Sequence, residues 1–295
     1  MLNFFMSIGI PGSGKSSFGE NLRTKGFVII SSDEVRKEIF GTYGANSKEQ
    51  NTIVFATMEK RVRAAVLKGE DIYYDACNLS AKKRRNLLAN IPHHYIKQAF
   101  LFATPVEECR RRNALRERKV PDEVITKFFS VFEVPNLDEG FTGISLIRDP
   151  NVSLLRISDF LESARDFDQE NSHHAFSLGE HCLRAAEFIK LHSNDKVLFQ
   201  AAQLHDCGKP FCKSFREEDV NAHYYQHHCI GAYQSLFYES DSNEDCLDRA
   251  FLIQHHMDWY FMGEEKLKKM YPRYFDRLKL LHEADIGGHG IDIYD

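Results

Sequence analysis

"NFFMSIGIPGSGKSSF", residues 3–18, decides the fold of the first half of the chain. An apolar run ends at a glycine-rich turn, and a helix-prone segment follows. "GIPGSGKS" fits the pattern G-x-x-x-x-G-K-[ST] in full, in the strand-to-helix context that the pattern requires. Backbone N–H groups of such a loop point inward, and the helix N-terminus adds positive potential. Gly9, Pro11, Gly12, Ser13, Gly14, Lys15, Ser16 and Ser17 are therefore the candidate ATP-binding stretch. Lys15 is expected to reach the β- and γ-phosphates, and the Ser16 hydroxyl to ligate Mg²⁺.

The segments around this loop alternate. Strands are expected at 3–10, 27–31, 71–76 and 96–103, with helices at 14–23, 33–40, 48–68 and 81–88. Alternation of this kind predicts an α/β domain, a mostly parallel sheet with helices on both faces. Residues 145–158 read as a closing strand or hairpin. Beyond them apolar residues recur at three- and four-residue spacing over 179–192, 196–205, 227–239, 245–256 and 274–286. That spacing predicts an all-α second half, with no strand, and a boundary near 150–157.

Charge divides the chain at the same place. Residues 1–150 hold 23 Lys+Arg against 18 Asp+Glu, a net of +5; the remainder hold 15 against 25, a net of −10. Two histidines fall in the first half and twelve in the second. Two domains are expected, 1–150 and 157–295. The basic half suits a polyanionic substrate. Seven cysteines without C-x-x-C spacing fit a reduced, cytoplasmic setting. No apolar run reaches membrane-spanning length, and the first residues are expected to be a strand and not a signal peptide.

Asp33 and Arg36 in "SSDEVR" follow the second strand and should lie at the C-terminal edge of the sheet, beside the phosphates. "CRRRNALRERKVPDEVI" (109–125) reads as a basic helix with Arg112 and Arg116 on one face, a lid over the triphosphate. Together "GIPGSGKSS", "SSDEVR", "YYDACNLS" and "RRNALRERKVPDEVI" resemble the kinase domain of phage-type 5′-hydroxyl polynucleotide kinases over residues 3–145. The resemblance implies that Lys15 and Ser16 serve ATP and Mg²⁺ and that Asp33 is the general base. It also implies that Arg36 grips the neighbouring nucleic-acid phosphate. Arg112 and Arg116 match the lid arginines, and Asp75 an acidic position facing the nucleic acid.

The second half carries His181, "HD" at His205–Asp206, His223 and His227 four apart, His255–His256, and Asp285. Imidazole and carboxylate are good ligands for divalent transition metals. His223 and His227 would share a face if their segment were helical. The order H…HD…H…H…D resembles the HD superfamily of metal-dependent phosphohydrolases. The resemblance implies that His181, His205, Asp206 and Asp285 hold one ion of Mn, Co, Ni, Fe or Zn. His227 and His256 would add a second, with Asp206 shared and His228 or His255 as neighbours able to replace them. Two such ions activate water for in-line attack on a phosphoester. Lys209 would meet the substrate phosphate. His173 and His174 match a histidine pair common before the first ligand.

The whole chain thus resembles bifunctional polynucleotide kinases joined to an HD-type 2′,3′-phosphoesterase, with the two modules in the reverse order. That implies an end-healing enzyme for nucleic acid, RNA favoured, bearing a 5′-OH and a 2′,3′-cyclic or 3′-phosphate. A separate ligase would join the ends, and no membrane would be involved. A nucleoside or metabolite kinase fused to an HD nucleotidase is the alternative. The basic runs "KKRR" (82–85) and "RRR" (110–112) lean toward the polymer. A non-enzymatic, ATP-gated binding module is the third reading.

Overall fold

A computed structural model describes residues 1–44, 47–172, 175–217 and 219–288. His173, His174 and His289 lie outside the described residues. The chain forms two compact units, one of Met1–Phe128 with Pro135–Val152, the other of Phe129–Val134 with the chain from Ser153 on. The sequence places 129–134 in the first domain; this apolar segment joins the second because Phe129 and Phe132 both pack edge-on against Tyr233.

The first unit runs β1 (Leu2–Ile8), α1 (Lys15–Arg23), β2 (Val28–Ser31), α2 (Ser32–Phe40), α3 (Lys48–Lys68), β3 (Ile72–Asp75), α4 (Ala81–Leu88), β4 (Tyr95–Ala103), α5 (Val106–Ala114) and α6 (Asp122–Ser130), then β5 (Gly143–Arg148). Its five strands are all parallel, in the order β2-β3-β1-β4-β5. Every residue of β3 is buried. Successive strand side chains point to opposite faces, so both faces of the sheet are covered there. β1 sits between β3 and β4 and buries Phe4, Met6 and Ile8 completely. The β2–β3 register sets Ser31 opposite Asp75, so the segments leaving these two strands emerge at one edge. Residues 145–158 supply a parallel strand and no hairpin, since β5 pairs with β4 over Gly143–Arg148.

Two basic stretches differ from the sequence reading. α5 ends at Ala114, and Arg116 lies in the loop beyond it. The Asn113 side chain both donates to and accepts from the Val120 backbone at 2.8 Å, closing a loop where a continuous helix was expected. Arg84 of "KKRR" is fully buried against Glu139, with two contacts of 2.6 Å, and also donates to the carbonyls of Asn78 and Leu79. It pins the loop that follows β3. Stripping one partner from such a pair costs about 3–5 kcal/mol, because the other charge stays buried alone.

The second unit is helical: α7 (Ile157–Ser163), α8 (Leu178–His192), α9 (Lys196–Leu204), α10 (His227–Ser235), α11 (Asn243–His255), α12 (Asp258–Phe261), α13 (Glu264–Met270) and α14 (Phe275–Gly288). α8 packs on α9 and α14, and α11 on α9 and α10. Ser177, Asp195 and Ser242 cap α8, α9 and α11 by accepting from backbone N–H groups. Where no strand was expected, Lys213–Ser214 (β6) and His223–Tyr224 (β7) form a short antiparallel pair. His223 is therefore in a strand. Gln226, in a left-handed conformation, separates it from α10, so His223 and His227 share no helix face. No helix among the described residues is long and apolar enough to cross a membrane.

Candidate phosphate and metal sites

The loop between β1 and α1 turns on glycine. Gly12 has φ +92°, and a β-carbon there would stand 2.6 Å from the Cys109 carbonyl oxygen. Ser13 is buried and Pro11 half-buried. Lys15, buried, folds its ammonium onto the Ile10 carbonyl (2.8 Å) and the Ser13 hydroxyl (3.4 Å). The Tyr73 hydroxyl fixes the Lys15 carbonyl, and Thr104 donates to the Ser13 carbonyl. Ser16 and Ser17 are exposed on the first turn of α1.

Ser16 donates to Asp75 Oδ2 at 3.0 Å, and Ser7 to Oδ1 at 3.3 Å. Burial pushes the Asp75 carboxyl up, against the pull of Lys15. Asp75 therefore stands beside the hydroxyl expected to hold Mg²⁺. A hydroxyl and a carboxylate in contact at the end of a phosphate loop are a donor set suited to Mg²⁺.

Asp33, half-exposed, is gripped from two sides: Arg36 reaches Oδ1 at 3.0 Å and Arg118 reaches Oδ2 at 2.7 Å. Arg36 is buried, and its remaining donors go to the Ser32 carbonyl and Asn51. Burial lowers its pKa, and the nearby Arg118 charge adds to that. Arg118 was missed in the sequence, where only Arg112 and Arg116 of this stretch were singled out. Arg112 lies 4.0 Å from the β-carbon position of Gly14, and its guanidinium is held by Glu108 and Asp149. Arg116 is exposed and forms no ion pair among the described residues. Arg110 and Arg111 are likewise paired, with Glu107, Asp122 and Glu108. "RRR" is thus locally neutralised.

The second site is buried. His181, His227 and Asp285 come from helices α8, α10 and α14, His205 and Asp206 from the segment after α9, and His256 from the residue after α11; all are less than a tenth exposed. One oxygen of Asp206 faces His181 Nε2 (3.4 Å) and His205 Nε2 (3.5 Å); the other faces His227 Nε2 (3.4 Å) and His256 Nε2 (3.8 Å). Asp285 Oδ1 joins the first group, 3.1 Å from His181 and 3.4 Å from His205. Each Asp206–histidine triad is tight enough to hold one ion.

The donor chemistry fits a metal. With nitrogen ligands about 2.0–2.1 Å from an ion, neighbouring donors lie about 3.0–3.4 Å apart; here they lie 2.9–3.8 Å apart. Three of the far ring nitrogens are engaged: Nδ1 of His205, His227 and His256 meets the carbonyls of Ala202, Tyr224 and Ile253 at 2.6–2.8 Å. Donation to those carbonyls leaves each Nε2 free to ligate. Tyr260 donates to Asp285 Oδ2 at 3.0 Å and orients it. His255 instead bonds Asp258 at 2.8 Å, outside the two triads.

Lys209 does not face outward. Its ammonium bonds Asp206 Oδ2 and Gln169 Oε1, both at 2.7 Å, and lies 5.3 Å from the Tyr224 ring centre. Burial opposes charge throughout this cluster, yet mutual pairing overrides it at three positions. Asp206 is held well below the usual carboxylate range by Lys209 and His205. His181 is raised to about 9 and His205 well above its ordinary value by the carboxylates. His256, buried beside His227 and His205, is lowered to about 3. Gln169, Tyr224 and Tyr260 carried no spacing signal that could have marked them.

Gly208 lets α10 approach this centre. Its φ is −80°, open to any residue, but a β-carbon would fall 2.0 Å from the His227 carbonyl oxygen and 2.6 Å from the Gly231 nitrogen. Gly208→Ala is expected to destabilise this unit by about 3 kcal/mol or more. The check is its thermal unfolding temperature, expected to fall by about 10 °C.

A family model described as "AAA domain" matches residues 4–135. Among solved structures, the chain is similar to a chain of the Pnkp1/Rnl/Hen1 RNA repair complex, at 22% identity and a TM-score of 0.39 over 43% of this chain. It is also similar to a gluconokinase from Sinorhizobium meliloti (17% identity, TM-score 0.38, 50% of this chain and 83% of that one). A sugar kinase from Janibacter matches at 15% identity and TM-score 0.38, over 50% of this chain and 86% of the other. The chain spans about two fifths (42%) of the length of the RNA repair chain it matches.

Proposed function

We propose that the first unit transfers the γ-phosphoryl group of ATP to the 5′-hydroxyl of a nucleic acid, and that the second hydrolyses 2′,3′-cyclic or 3′-phosphate ends. RNA is the favoured substrate, and a separate ligase would consume the product. The observation that carries the reading is Asp206, whose two oxygens each face a different histidine pair. With the nucleotide loop of the first unit, it gives one chain a means to add phosphate and a means to remove it.

In the kinase half, Lys15 would leave the Ile10 carbonyl for the transferring phosphates, and Mg²⁺ near Ser16 and Asp75 would neutralise their charge. Asp33 would accept the proton of the attacking hydroxyl as the new O–P bond forms and the bond to the β-phosphate breaks, releasing ADP. Arg112 and Arg116 would offset charge on the transferring group. In the phosphohydrolase half, His181, His205, Asp206 and Asp285 would hold one metal ion, and Asp206, His227 and His256 another. Such ions supply Lewis acidity and a nucleophile at neutral pH. Lys209 would anchor Asp206 and fix which oxygen serves which pair, a role different from gripping the substrate phosphate.

Neutralisation of "RRR" and burial of Arg84 remove part of the support for a polymeric substrate. They favour keeping a second reading, a nucleoside or metabolite kinase beside a nucleotidase. Transfer of a radiolabelled γ-phosphate to a 5′-OH RNA oligonucleotide or to free nucleosides separates the two. Labelled oligonucleotide supports the first reading; label on nucleosides alone supports the second.

A further inference from the structure

Asp149, which carries no motif in the sequence, is buried just past the end of β5 and turns one oxygen to Arg112. Its backbone N–H donates to the Ala103 carbonyl at the end of β4. Its other oxygen accepts from the Asn151 backbone N–H at 3.0 Å and from the Asn151 side chain at 3.3 Å. The carboxylate is thereby held in one orientation. Glu108, one turn earlier on α5, accepts from Arg112 Nε at 2.7 Å. Two of the three guanidinium nitrogens of Arg112 are thus taken. The third, Nη1, forms no hydrogen bond among the described residues and lies 4.0 Å from the β-carbon position of Gly14. α5 itself is docked on the phosphate loop. The Cys109 carbonyl closes on Gly12, and Thr104, just before α5, donates to the Ser13 carbonyl. Arg112 follows Cys109 by three residues, so the two share a side of the helix.

We propose that Asp149 is a positioning residue: with Glu108 it clasps the Arg112 guanidinium so that Nη1 points at the phosphates of a nucleotide seated in the loop. The inference rests on the nucleotide-binding part of the reading above and names the residue that aims its arginine. A planar guanidinium held at two nitrogens has lost its freedom before the ligand arrives, so less is lost on binding. Charge alone predicts the opposite effect. A carboxylate near bound phosphates repels them, and its removal should tighten binding. The sign of the change therefore separates aiming from charge.

The test is calorimetric titration of the full chain with ADP and Mg²⁺, since a loop of this pattern cradles the α- and β-phosphates. Asp149→Asn keeps an oxygen for Asn151 and is expected to weaken ADP binding about tenfold, the scale of one hydrogen bond to a charged group. Arg112→Ala should weaken it at least as much. Asp149→Asn added to Arg112→Ala should change nothing further, because the arginine it aims is gone. Unchanged or tighter binding in Asp149→Asn overturns the proposal. So does equal weakening with and without Arg112, which would make Asp149 a general support of the loop. If Asp149→Asn does not fold, Glu108→Gln set against Arg112→Ala runs the same cycle from the other side of the clasp, and additive losses there overturn it. Label transfer from ATP to a 5′-OH oligonucleotide is measured in parallel. Transfer with uncoupled ADP binding sinks the clasp and leaves the kinase standing. Coupled ADP binding without transfer sinks the kinase and leaves the clasp on a nucleotide-binding loop.

Discussion

Asp206→Asn is expected to strip the second unit of bound metal and of all phosphoesterase activity. The substitution keeps shape and leaves one carbonyl oxygen, so it removes the negative charge that both histidine pairs share. First-contact ligands contribute more than the outer partners whose loss alone weakens metal binding about 10- to 100-fold, so affinity should fall about 100-fold or more. Metal content by emission spectroscopy after dialysis against a fixed free metal concentration is the measurement. Wild-type content in Asp206→Asn would reject the shared-carboxylate geometry. Protons compete with metal in this centre. His181 is raised to about 9, so binding must expel its proton, and apparent affinity should climb as pH rises from the ordinary histidine value of 6.5 toward about 9. Lys209→Met should also weaken metal binding, because Asp206 Oδ2 would lose the ammonium that orients it.

Asp33→Asn is expected to lower phosphoryl transfer about 10²- to 10⁴-fold while ATP binding is retained. The carboxylate is half-exposed and, among the described residues, pairs with Arg36 and Arg118; without it the buried Arg36 keeps its bonds to the Ser32 carbonyl and Asn51, which hold it in place. The loop contacts of Lys15 and Ser16 do not involve it. A direct nucleotide titration and a turnover assay on the same preparation measure the two effects. Equal transfer by wild type and Asp33→Asn would remove Asp33 from the reaction. Weakened ATP binding in the variant would place it with the nucleotide and not with the acceptor.

Much of the first unit was legible because its apolar strands alternate with helices at short range, and the glycine-rich loop announces itself. The helical spacing of the second half was equally plain, as was the order of its histidines and aspartates. Contacts distant in sequence were not legible. Arg84 looks like one more surface cation in "KKRR", and only Glu139, 55 residues on, makes it a buried anchor. Residues 109–119 keep helical composition, yet the Asn113–Val120 contacts close a loop that moves Arg116 off the helix and brings Arg118 to Asp33. Lys209 follows Asp206 at a spacing that fits either an inward or an outward ammonium. Its direction depends on Gln169, which nothing nearby marks. The short strand pair around His223 is too brief for any periodicity to reveal.

On the proposed function, one chain adds phosphate at one end of a break and opens or removes it at the other. A single RNA oligonucleotide with a 5′-hydroxyl and a 2′,3′-cyclic phosphate, incubated with the protein, ATP, Mg²⁺ and Mn²⁺, tests it in one mass spectrum. The account predicts a product that has gained one phosphoryl group at the 5′ end and whose cyclic phosphate has been opened or lost. An RNA recovered with both ends unchanged would contradict it.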